Sequence, residues 1–590
     1  MMGTDIHGLS QTFEPGEEEK AVRTVLGYLR PYWLRVACGV SIKFMAAVLE
    51  LVLPLLLAHV IDDLVPLGDM GPIWRTGAVM AAVAFGAVGC NITANRMAAR
   101  VSMEMTCALR RDLYARTAGL SCAQMDRFSV SSLVSRLTND TYNVHQMVDK
   151  VQRGGIRAPM LVLGGLTLTF LLEPVLALVQ LGVCAATFFT IYQVTRRGIP
   201  RYTAAQTAVD TVVRIIRENA AGVRVIKALG CQNRERQRFE TANAAARDRE
   251  SEAGVVMAAA NPTTDFLLNV GLILVVAVGA VRVQEGRMAS GQIVAFLSYF
   301  TLIQTATLGV SKTFLRISKG AASARRIEQV LHALMDQPVY LPEKKNGAEL
   351  GMEQVSFSYL GVEQDLSEAS FSLQKGQTLG ILGPTGSGKT TLVSLLLRLY
   401  DADEGTVWVG GADVRSYQRR ALSDRFGVVF QNDTLLAGTV YENISFLRHL
   451  PREDVERAAR TAQAWSFISR MPGGLDAAVE LRGANLSGGQ RQRLLVARAL
   501  AGRPPVLVLD SADSALDYRT AAALHAAVHR EFPDITLVVI SERIASLRQA
   551  DHILVLEDGC ITHQGSHEAL IRDCPRYRRM AQLQMGEEAV

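Results

Sequence analysis

The stretch GPTGSGKT, residues 383–390, has residue types and spacing suited to phosphate chemistry. It follows the apolar stretch TLGIL and leads into KTTLVSLLLRLY, so the pattern predicts a strand, a glycine-rich loop and a helix. Glycines let backbone N–H groups surround phosphate oxygens, and a helix N-terminus adds positive potential. Lys389 suits the β- and γ-phosphates, and the Thr390 hydroxyl suits Mg²⁺. The predicted nucleotide-binding residues of this loop are Gly383, Pro384, Thr385, Gly386, Ser387, Gly388, Lys389, Thr390 and Thr391.

A second chemical group lies at the end of the apolar stretch VLVLD, residues 506–510. This stretch predicts a buried strand that ends on Asp510. An aspartate at the end of such a strand holds the Mg²⁺ shell in phosphate-loop ATPases. Taken with the glycine-rich loop, Asp510 therefore predicts a site for ATP and Mg²⁺, in which Thr390 and Asp510 are metal ligands.

Long apolar segments dominate residues 33–312 and then stop. Hydrophobic residues make up 49% of the chain and the mean hydropathy is +0.16, which is high for a wholly soluble protein. A bilayer core of about 30 Å requires about 20 apolar residues per helix. Six membrane spans are predicted, at about 36–62, 76–95, 157–173, 175–195, 258–282 and 289–311. The net charge of only +5 shows no overall bias toward nucleic acid.

The distribution of arginine and lysine predicts the orientation of these spans. Arginines and lysines cluster after the second, fourth and sixth spans, whereas the first loop, IDDLVPLGDMGPIW, contains three aspartates. Both termini and the two long intervening segments are therefore expected in the cytoplasm, and the chain in the cell membrane. The acidic N-terminus does not resemble a secretory signal.

The cytoplasmic segments 96–156 and 196–252 are charged and helical in pattern, which predicts that the membrane helices continue far beyond the bilayer. Small separate subdomains are the alternative. The predicted domains are a polar tail at 1–20, an all-α six-helix transmembrane domain at 21–330, a linker at 331–347 and an α/β nucleotide-binding domain at 348–590.

The stretch LSGGQRQRL, residues 486–494, identifies the chain as resembling a half of an ATP-binding cassette (ABC) exporter, over about residues 20–585. The resemblance implies that two nucleotide-binding domains enclose two ATP molecules, each facing the LSGGQ of the other domain. It implies that Tyr359 stacks on adenine, that Gln431 touches Mg²⁺ and the attacking water, and that SALD, residues 514–517, links the two sites. The residues implied to contact the partner's ATP are Leu486, Ser487, Gly488, Gly489 and Gln490.

Two positions depart from the family pattern. The glutamate expected after the strand aspartate is Ser511, and the histidine expected after TLVVIS is Glu542. A missing general base costs about 10²- to 10⁴-fold in rate, and a carboxylate facing the γ-phosphate disfavours the transition state. We therefore expect no intact catalytic residue on this chain, which binds ATP at a slow site and completes the active site of a different half with its own glutamate and histidine. A dead homodimer, or another proton acceptor such as Glu542, is the alternative.

Charged and polar residues within the predicted spans suggest a substrate cavity, because such residues are costly in a bilayer. Asn261, Asp265 and Asn269 share one helix face by their spacing of four, and Glu50 lies in the first span. They predict a cavity for amphipathic, drug-like or cationic compounds. Interhelical hydrogen bonding, or pairing of Glu50 with Lys43, is the alternative. A lipid or peptide exporter and a transport-dead regulatory subunit remain open as functions.

Overall fold

The computed structural model describes residues 17–333, 347–359, 361, 363–512 and 515–585. Most of the predicted tail, most of the predicted linker and Ser514 of SALD therefore lie outside the described residues. The chain forms two compact units. The first comprises the described residues up to Ala118 and Ser131–His332; the second comprises Gly119–Val130 and the described residues from Ala333 onward.

Helices account for nearly all of the first unit. The described residues up to 333 form α1 Glu17–Leu29, α2 Trp33–His59, α3 Met70–Ala118, α4 Cys122–Phe128, α5 Val130–Ser135, α6 Thr141–Arg153, α7 Arg157–Leu172, α8 Pro174–Ala221, α9 Val223–Ala228, α10 Gln232–Ala258, α11 Ala260–Gln284 and α12 Ser290–Leu331.

Six helical segments among the described residues are long and apolar enough to cross a membrane: Glu19–Leu67, Met70–Ala118, Val130–Leu172, Pro174–Ala221, Gln232–Gln284 and Ser290–Val310. This confirms the predicted six-helix fold class. Helix α3 has 49 residues and α8 has 48, so at 1.5 Å per residue each is about 70 Å long, more than twice a bilayer core. The predicted helix extensions are therefore present in α3 and α8, whereas α4 to α6 divide residues 122–153 into short pieces.

The tight turn between α7 and α8 follows from local sequence. Pro174 occupies the first position of α8 and Glu173 has the extended backbone that a following proline favours (φ −157°, ψ 106°). The Glu173 carboxylate accepts two hydrogen bonds from Arg282, at 2.6 and 2.9 Å, near the end of α11. This ion pair ties the start of α8 to α11.

The second unit contains the strands β1 Leu350–Phe357, β2 Leu366–Leu373, β3 Thr378–Leu382, β4 Glu404–Val409, β5 Ala412–Asp413, β6 Phe426–Val429, β7 Gly438–Thr439, β8 Ala478–Val479, β9 Val506–Asp510, β10 Thr536–Ile540, β11 His552–Glu557 and β12 Cys560–Gly565. Its helices after residue 347 are α13 Lys389–Leu396, α14 Arg419–Ser423, α15 Val440–Ser445, α16 Arg452–Thr461, α17 Trp465–Ile468, α18 Gly488–Ala501, α19 Tyr518–Glu531, α20 Ile544–Leu547, α21 His567–Asp573 and α22 Pro575–Met585.

The larger sheet has the order β12-β11-β3-β10-β9-β6, and the strands from β11 to β6 are parallel. Every residue of β3, β9 and β10 is buried, as expected for strands covered on both faces. Because the carboxyl ends of parallel strands meet at one edge, the loops after β3, β10, β9 and β6 lie side by side there. The antiparallel sheet β2-β1-β4-β5 accompanies it.

Candidate nucleotide-binding site

The loop after β3 has a backbone that requires glycine. Gly386 and Gly388 have φ values of +85° and +93°, in the region that glycine favours. A Cβ at Gly383 would lie 2.5 Å from the Leu556 carbonyl oxygen, and one at Gly388 would lie 2.8 Å from the Asp365 carbonyl oxygen. The loop can therefore place its N–H groups against phosphate oxygens at the start of α13.

Lys389 begins α13 and its ammonium group folds back onto the loop. Its Nζ donates to the carbonyl oxygens of Gly383 at 2.9 Å and Pro384 at 2.7 Å. Burial lowers the pKa of Lys389 below its ordinary value, while the nearby carboxylates of Glu542 and Asp510 oppose that shift. Lys389 therefore lies within electrostatic range of the group that ends β9 and of the residue that follows β10.

Asp510 is buried, with 2% of its surface exposed, and hydroxyl groups approach both of its carboxylate oxygens. Thr390 Oγ1 donates to one oxygen at 3.4 Å, and Ser511 Oγ donates to the other at 3.3 Å. Burial raises the pKa of Asp510, and the hydrogen bonds from Ser511 and Thr390 oppose that rise. A hydroxyl and a carboxylate side by side match the oxygen ligands that Mg²⁺ prefers.

The residues present fit a nucleotide with its magnesium ion. The Ser387 hydroxyl, in the loop between β3 and α13, is buried and has no hydrogen-bond partner among the described residues. Thr391, also predicted to bind nucleotide, is 7% exposed on the first turn of α13. When bound, Mg²⁺ would supply charge neutralisation between phosphates, held by Thr390 and Asp510.

Gln431 lies two residues beyond β6 and is exposed. Strand β6 pairs with β9 so that Val429 is level with Leu509. The continuation of β6 therefore runs beside Asp510, which places the predicted water- and magnesium-contacting residue Gln431 at the same edge of the sheet.

Ser511 occupies the position where a general base was expected. Its backbone is in the left-handed region (φ 54°), its N–H donates to the Ile540 carbonyl oxygen at 3.0 Å, and its hydroxyl is engaged with Asp510. Glu542 is exposed, and strand β10 before it lies between β3 and β9. Glu542, rather than histidine, therefore follows the strand that lies between the strands leading to the phosphate loop and to Asp510.

Gln584 of α22 holds the loop that presents Glu542. It donates from Nε2 to the Glu542 carbonyl oxygen at 2.9 Å and accepts from the Ile544 N–H at 2.8 Å. Gln584 lies about forty residues from this loop along the chain, and no sequence motif indicated the contact. We assign Gln584 a positioning role for that loop.

Tyr359, two residues after the end of β1, provides an exposed aromatic surface. Its side chain is 41% exposed, and its ring packs edge-on against Phe357 at 4.9 Å and Tyr400 at 5.0 Å. The Tyr400 hydroxyl donates to Asp126 of α4 at 2.6 Å. The predicted base-stacking residue is therefore held by a tyrosine that also binds the short helix α4, a contact that no sequence motif indicated.

Replacement of Tyr359 with alanine is expected to weaken ATP binding about 5- to 150-fold, because aromatic–base stacking contributes about 1–3 kcal/mol. The measurement is the dissociation constant for ATP, with Tyr359→Phe as the control that keeps the stacking surface. Equal weakening of inorganic triphosphate, which has no base, would contradict the assigned role of Tyr359.

The LSGGQ residues form the N-terminus of α18. Ser487 caps the helix, since its side chain accepts from the Gln490 N–H at 3.3 Å and its own N–H donates to Gln490 Oε1 at 2.9 Å. Leu486 is buried, while Gly488 and Gly489 lie at the first two helical positions beside Ala515. The four N–H groups of a helix start and the lack of side chains at two positions suit the approach of a phosphate.

The four predicted cavity residues separate into two groups. Glu50 accepts hydrogen bonds from Asn91 and Arg157, and Lys43 binds Asn91 and Asn95, so the direct Lys43–Glu50 pair considered from sequence is replaced by partners on other helices.

The stripe on α11 has a different environment. Asn261, Asp265 and Asn269 are all exposed, and the Asn269 side-chain amide donates to the Asp265 carbonyl oxygen of its own helix at 2.8 Å. None of the hydrogen bonds among the described residues joins this stripe to Glu50.

Known protein families match both the helical part and the nucleotide-binding part of the chain. Residues 36–307 match the ABC transporter transmembrane region and residues 366–514 match the ABC transporter family. A solved structure of a bacterial Atm1-family ABC exporter with ATP bound superposes with a TM-score of 0.81 at 23% identity, covering 94% of this chain and 99% of that one.

Curated relatives extend over nearly the full length. An uncharacterized ABC transporter ATP-binding protein of Mycobacterium tuberculosis is 33% identical, covering 94% of this chain and 97% of the relative. One from Bacillus subtilis is 31% identical, covering 96% and 99%. An ATP-dependent lipid A-core flippase of Vibrio vulnificus is 33% identical, covering 82% and 84%.

Proposed function

Because the chain belongs to the ABC transporter family and has the exporter fold, with a transmembrane region fused to an ATP-binding domain, we propose that it is one half of an ATP-driven exporter that pairs with a different half. Its own site binds ATP and Mg²⁺ and hydrolyses ATP slowly. Its LSGGQ completes the partner's site. The proposed location is the cell membrane, with both termini and the ATP-binding domain in the cytoplasm.

The observation that supports this proposal is the contrast between intact binding groups and the absent base. The loop glycines, Lys389 and the Thr390–Asp510 pair retain the arrangement needed to hold a nucleotide. The position after Asp510 instead holds a serine whose hydroxyl is engaged with that aspartate. A serine neither accepts a proton near neutral pH nor orients water as a carboxylate does. The site would therefore still bind ATP although it hydrolyses ATP slowly.

On this proposal, ATP binding brings the two ATP-binding domains together, and hydrolysis at the partner's site resets them. In that cycle Lys389 and the loop N–H groups hold phosphates, Thr390 and Asp510 orient the magnesium ion, and α18 contributes its N-terminus to the other site. A slow site that keeps the domains together while the other turns over gives the pair an asymmetric cycle.

Amphipathic or drug-like compounds are the proposed cargo. The lipid alternative is supported by the resemblance to proteins named lipid A-core flippases. A transport-dead regulatory subunit is supported by the same Ser511 and Glu542 that suggest a slow site, because a regulator needs ATP binding and not turnover. The regulator predicts no transport in any pairing.

The decisive test compares the steady-state ATPase rate of this chain alone in lipid with that of the chain co-purified with a second half that contains the glutamate and histidine. The expected result is that the chain alone binds ATP without hydrolysing it, and that the pair hydrolyses ATP rapidly. Rapid ATP hydrolysis by the chain alone would overturn the proposal, because another general base would then act in the site despite Ser511 and Glu542.

A further inference from the structure

A connected polar network joins three helices of the membrane unit. Lys43 and Glu50 lie two turns apart on α2, Asn91 and Asn95 one turn apart on α3, and Arg157 begins α7. Lys43 Nζ donates to Asn91 Oδ1 at 2.7 Å and Asn95 Oδ1 at 3.0 Å. Asn91 Nδ2 donates to Glu50 Oε1 at 2.8 Å, and Arg157 Nη2 donates to Glu50 Oε2 at 2.6 Å. Asn91 thus bridges the ammonium group and the carboxylate.

The charges of this network do not balance. Glu50 offsets one of the two cations, Lys43 and Arg157, and the asparagines offer only dipoles. The adjacent Arg153 forms an ion pair with Asp149 at 2.7 Å and adds no net charge. The cluster therefore has three cations and two carboxylates, which leaves one positive charge.

This positive charge lies within the membrane part of the chain and is accessible from the protein surface. Lys43 is 4% exposed, whereas the Arg157 side chain is 37% exposed. The Arg157 Nε is buried without a hydrogen-bond partner among the described residues. No residue between Arg75 and Arg96 is charged, so Asn91 and Asn95 lie where α3 is about to leave its apolar stretch. A ligand would meet the network near one face of the bilayer, through Arg157.

A purely structural role explains the hydrogen bonds and not the charge. A network whose task is to hold helices together is less costly when neutral, since each unpaired charge in an apolar environment is unfavourable. An anion provides what the network lacks. Arginine also suits this role, because its planar guanidinium binds phosphate and carboxylate through parallel hydrogen bonds.

We propose that the network of Lys43, Asn91, Asn95, Glu50 and Arg157 binds the anionic headgroup, a phosphate or a carboxylate, of an amphipathic cargo. This assigns an anionic cargo class where the α11 stripe had suggested a cationic one. Asp265 on that stripe is a single exposed carboxylate without charged partners in the described part of the chain. The assignment of the ligand as cargo rests on the proposed exporter function.

The test measures binding of three probes to the full chain in neutral detergent by native mass spectrometry without ATP: hexadecyl phosphate, hexadecyltrimethylammonium and inorganic phosphate. Hexadecyl phosphate is expected to bind about tenfold or more tightly than the ammonium probe. Ammonium binding that is equal or tighter would overturn the proposal. Inorganic phosphate binding as tightly as hexadecyl phosphate would also overturn it, since the site would then take a free anion.

Variants that change the charge in opposite directions separate recognition from folding. Arg157→Gln removes the net charge and is expected to weaken hexadecyl phosphate binding about tenfold or more, with Arg157→Lys retaining most of it. Glu50→Gln raises the net charge to +2 and is expected to tighten binding, a gain that loss of structure would not produce. Arg153→Gln also removes one positive charge, but from the neighbouring arginine that is paired with Asp149, so it is the matched control that separates loss of the Arg157 guanidinium from loss of charge, and it is expected to weaken hexadecyl phosphate binding less than Arg157→Gln does. Weakening by Arg157→Gln of all three probes alike, or none, would contradict the proposal.

Failure of this inference is distinguishable from failure of the proposed function. ATP-driven movement of any amphiphile by the paired halves in proteoliposomes tests the exporter, whereas probe preference tests the network. Transport of cationic compounds with no preference for hexadecyl phosphate would leave the exporter and remove the anionic assignment. Preferential phosphate binding with no movement of any amphiphile would remove the exporter and the description of the ligand as cargo.

Discussion

Exchange of Ser511 for glutamate is expected to raise the steady-state ATPase rate of this chain, assayed alone, by about 10²-fold or more, because a positioned general base contributes about 10²- to 10⁴-fold. The exchange places a carboxylate directly after Asp510, beside the end of β6 that leads to Gln431. Phosphate release is measured at protein concentrations where ATP drives the chain to pair with itself, checked by gel filtration, so that LSGGQ of a second copy completes the site.

The backbone at this position tolerates the change. Ser511 already has a left-handed φ of 54°, and glutamate meets the same steric cost there as serine. Ser511 is partly exposed, so a longer side chain has room. The substitution also removes the hydrogen bond from the Ser511 hydroxyl to Asp510, which leaves Thr390 as the hydroxyl donor to that carboxylate.

Ser511→Gln is the matched control, since it has the same size and shape without a base. It is expected to bind ATP as tightly as Ser511→Glu and to hydrolyse it as slowly as the unmodified chain. Addition of Glu542→His to Ser511→Glu should raise the rate further, because a donor replaces a like charge near the γ-phosphate. A rate for Ser511→Gln equal to that of Ser511→Glu would show that the deficit lies elsewhere.

Local patterns in the sequence were sufficient for the six apolar helical segments and for the strand–loop–helix of the nucleotide site. Stretches of about 20 residues with few or no charges marked the spans because the bilayer disfavours charge over that length, and Glu173–Pro174 marked the turn between α7 and α8 because proline restricts the residue before it. The strand–loop–helix around Lys389 was predictable for the same reason: strand, loop and helix start are consecutive in the chain.

Contacts between segments that are distant along the chain could not be predicted from the sequence. Helix α4 has only seven residues, too few to show a helical period, and its contact with the phosphate-loop domain joins Asp126 to Tyr400, 274 residues away. The partners of Glu50 lie 41 and 107 residues away, at Asn91 and Arg157. The spacing of Lys43 and Glu50 on one helix face suggested a direct pair, and packing of α3 and α7 against that face replaced it.

The position of Glu542 shows the same limit within the site itself. Sequence spacing places it after an apolar strand, without indicating which strands are its neighbours. Because β10 lies between β3 and β9, Glu542 follows a strand whose neighbours lead to Lys389 and to Asp510, and its carboxylate opposes the lowering of the Lys389 pKa by burial. Strand order is set by how the helices cover both faces of the sheet, which no single motif encodes.

Replacement of Gly488 with aspartate is expected to reduce the ATPase rate of the paired halves by about 10²-fold or more, while ATP binding to this chain's own site is unchanged. Gly488 is the first residue of α18 and lies at the helix N-terminus that would face the partner's ATP. A carboxylate there opposes the negative charge of the phosphate, and loss of one such stabilising group typically costs about 10²- to 10³-fold.

The helix itself should tolerate this substitution, which makes the expected loss specific. An aspartate in the first turn of a helix is stabilising by about 0.3–1 kcal/mol, and among the described residues a Cβ at Gly488 would meet only the Ala515 Cβ, at 4.0 Å. Gly488→Ala, which adds the Cβ without the charge, is the control and should retain most of the rate. Since the partner's glutamate performs the hydrolysis in the proposed pair, the loss appears in a site to which this chain contributes only α18. Full activity of the Gly488→Asp pair would mean that α18 does not reach the partner's nucleotide, and the two-chain site would have to be abandoned.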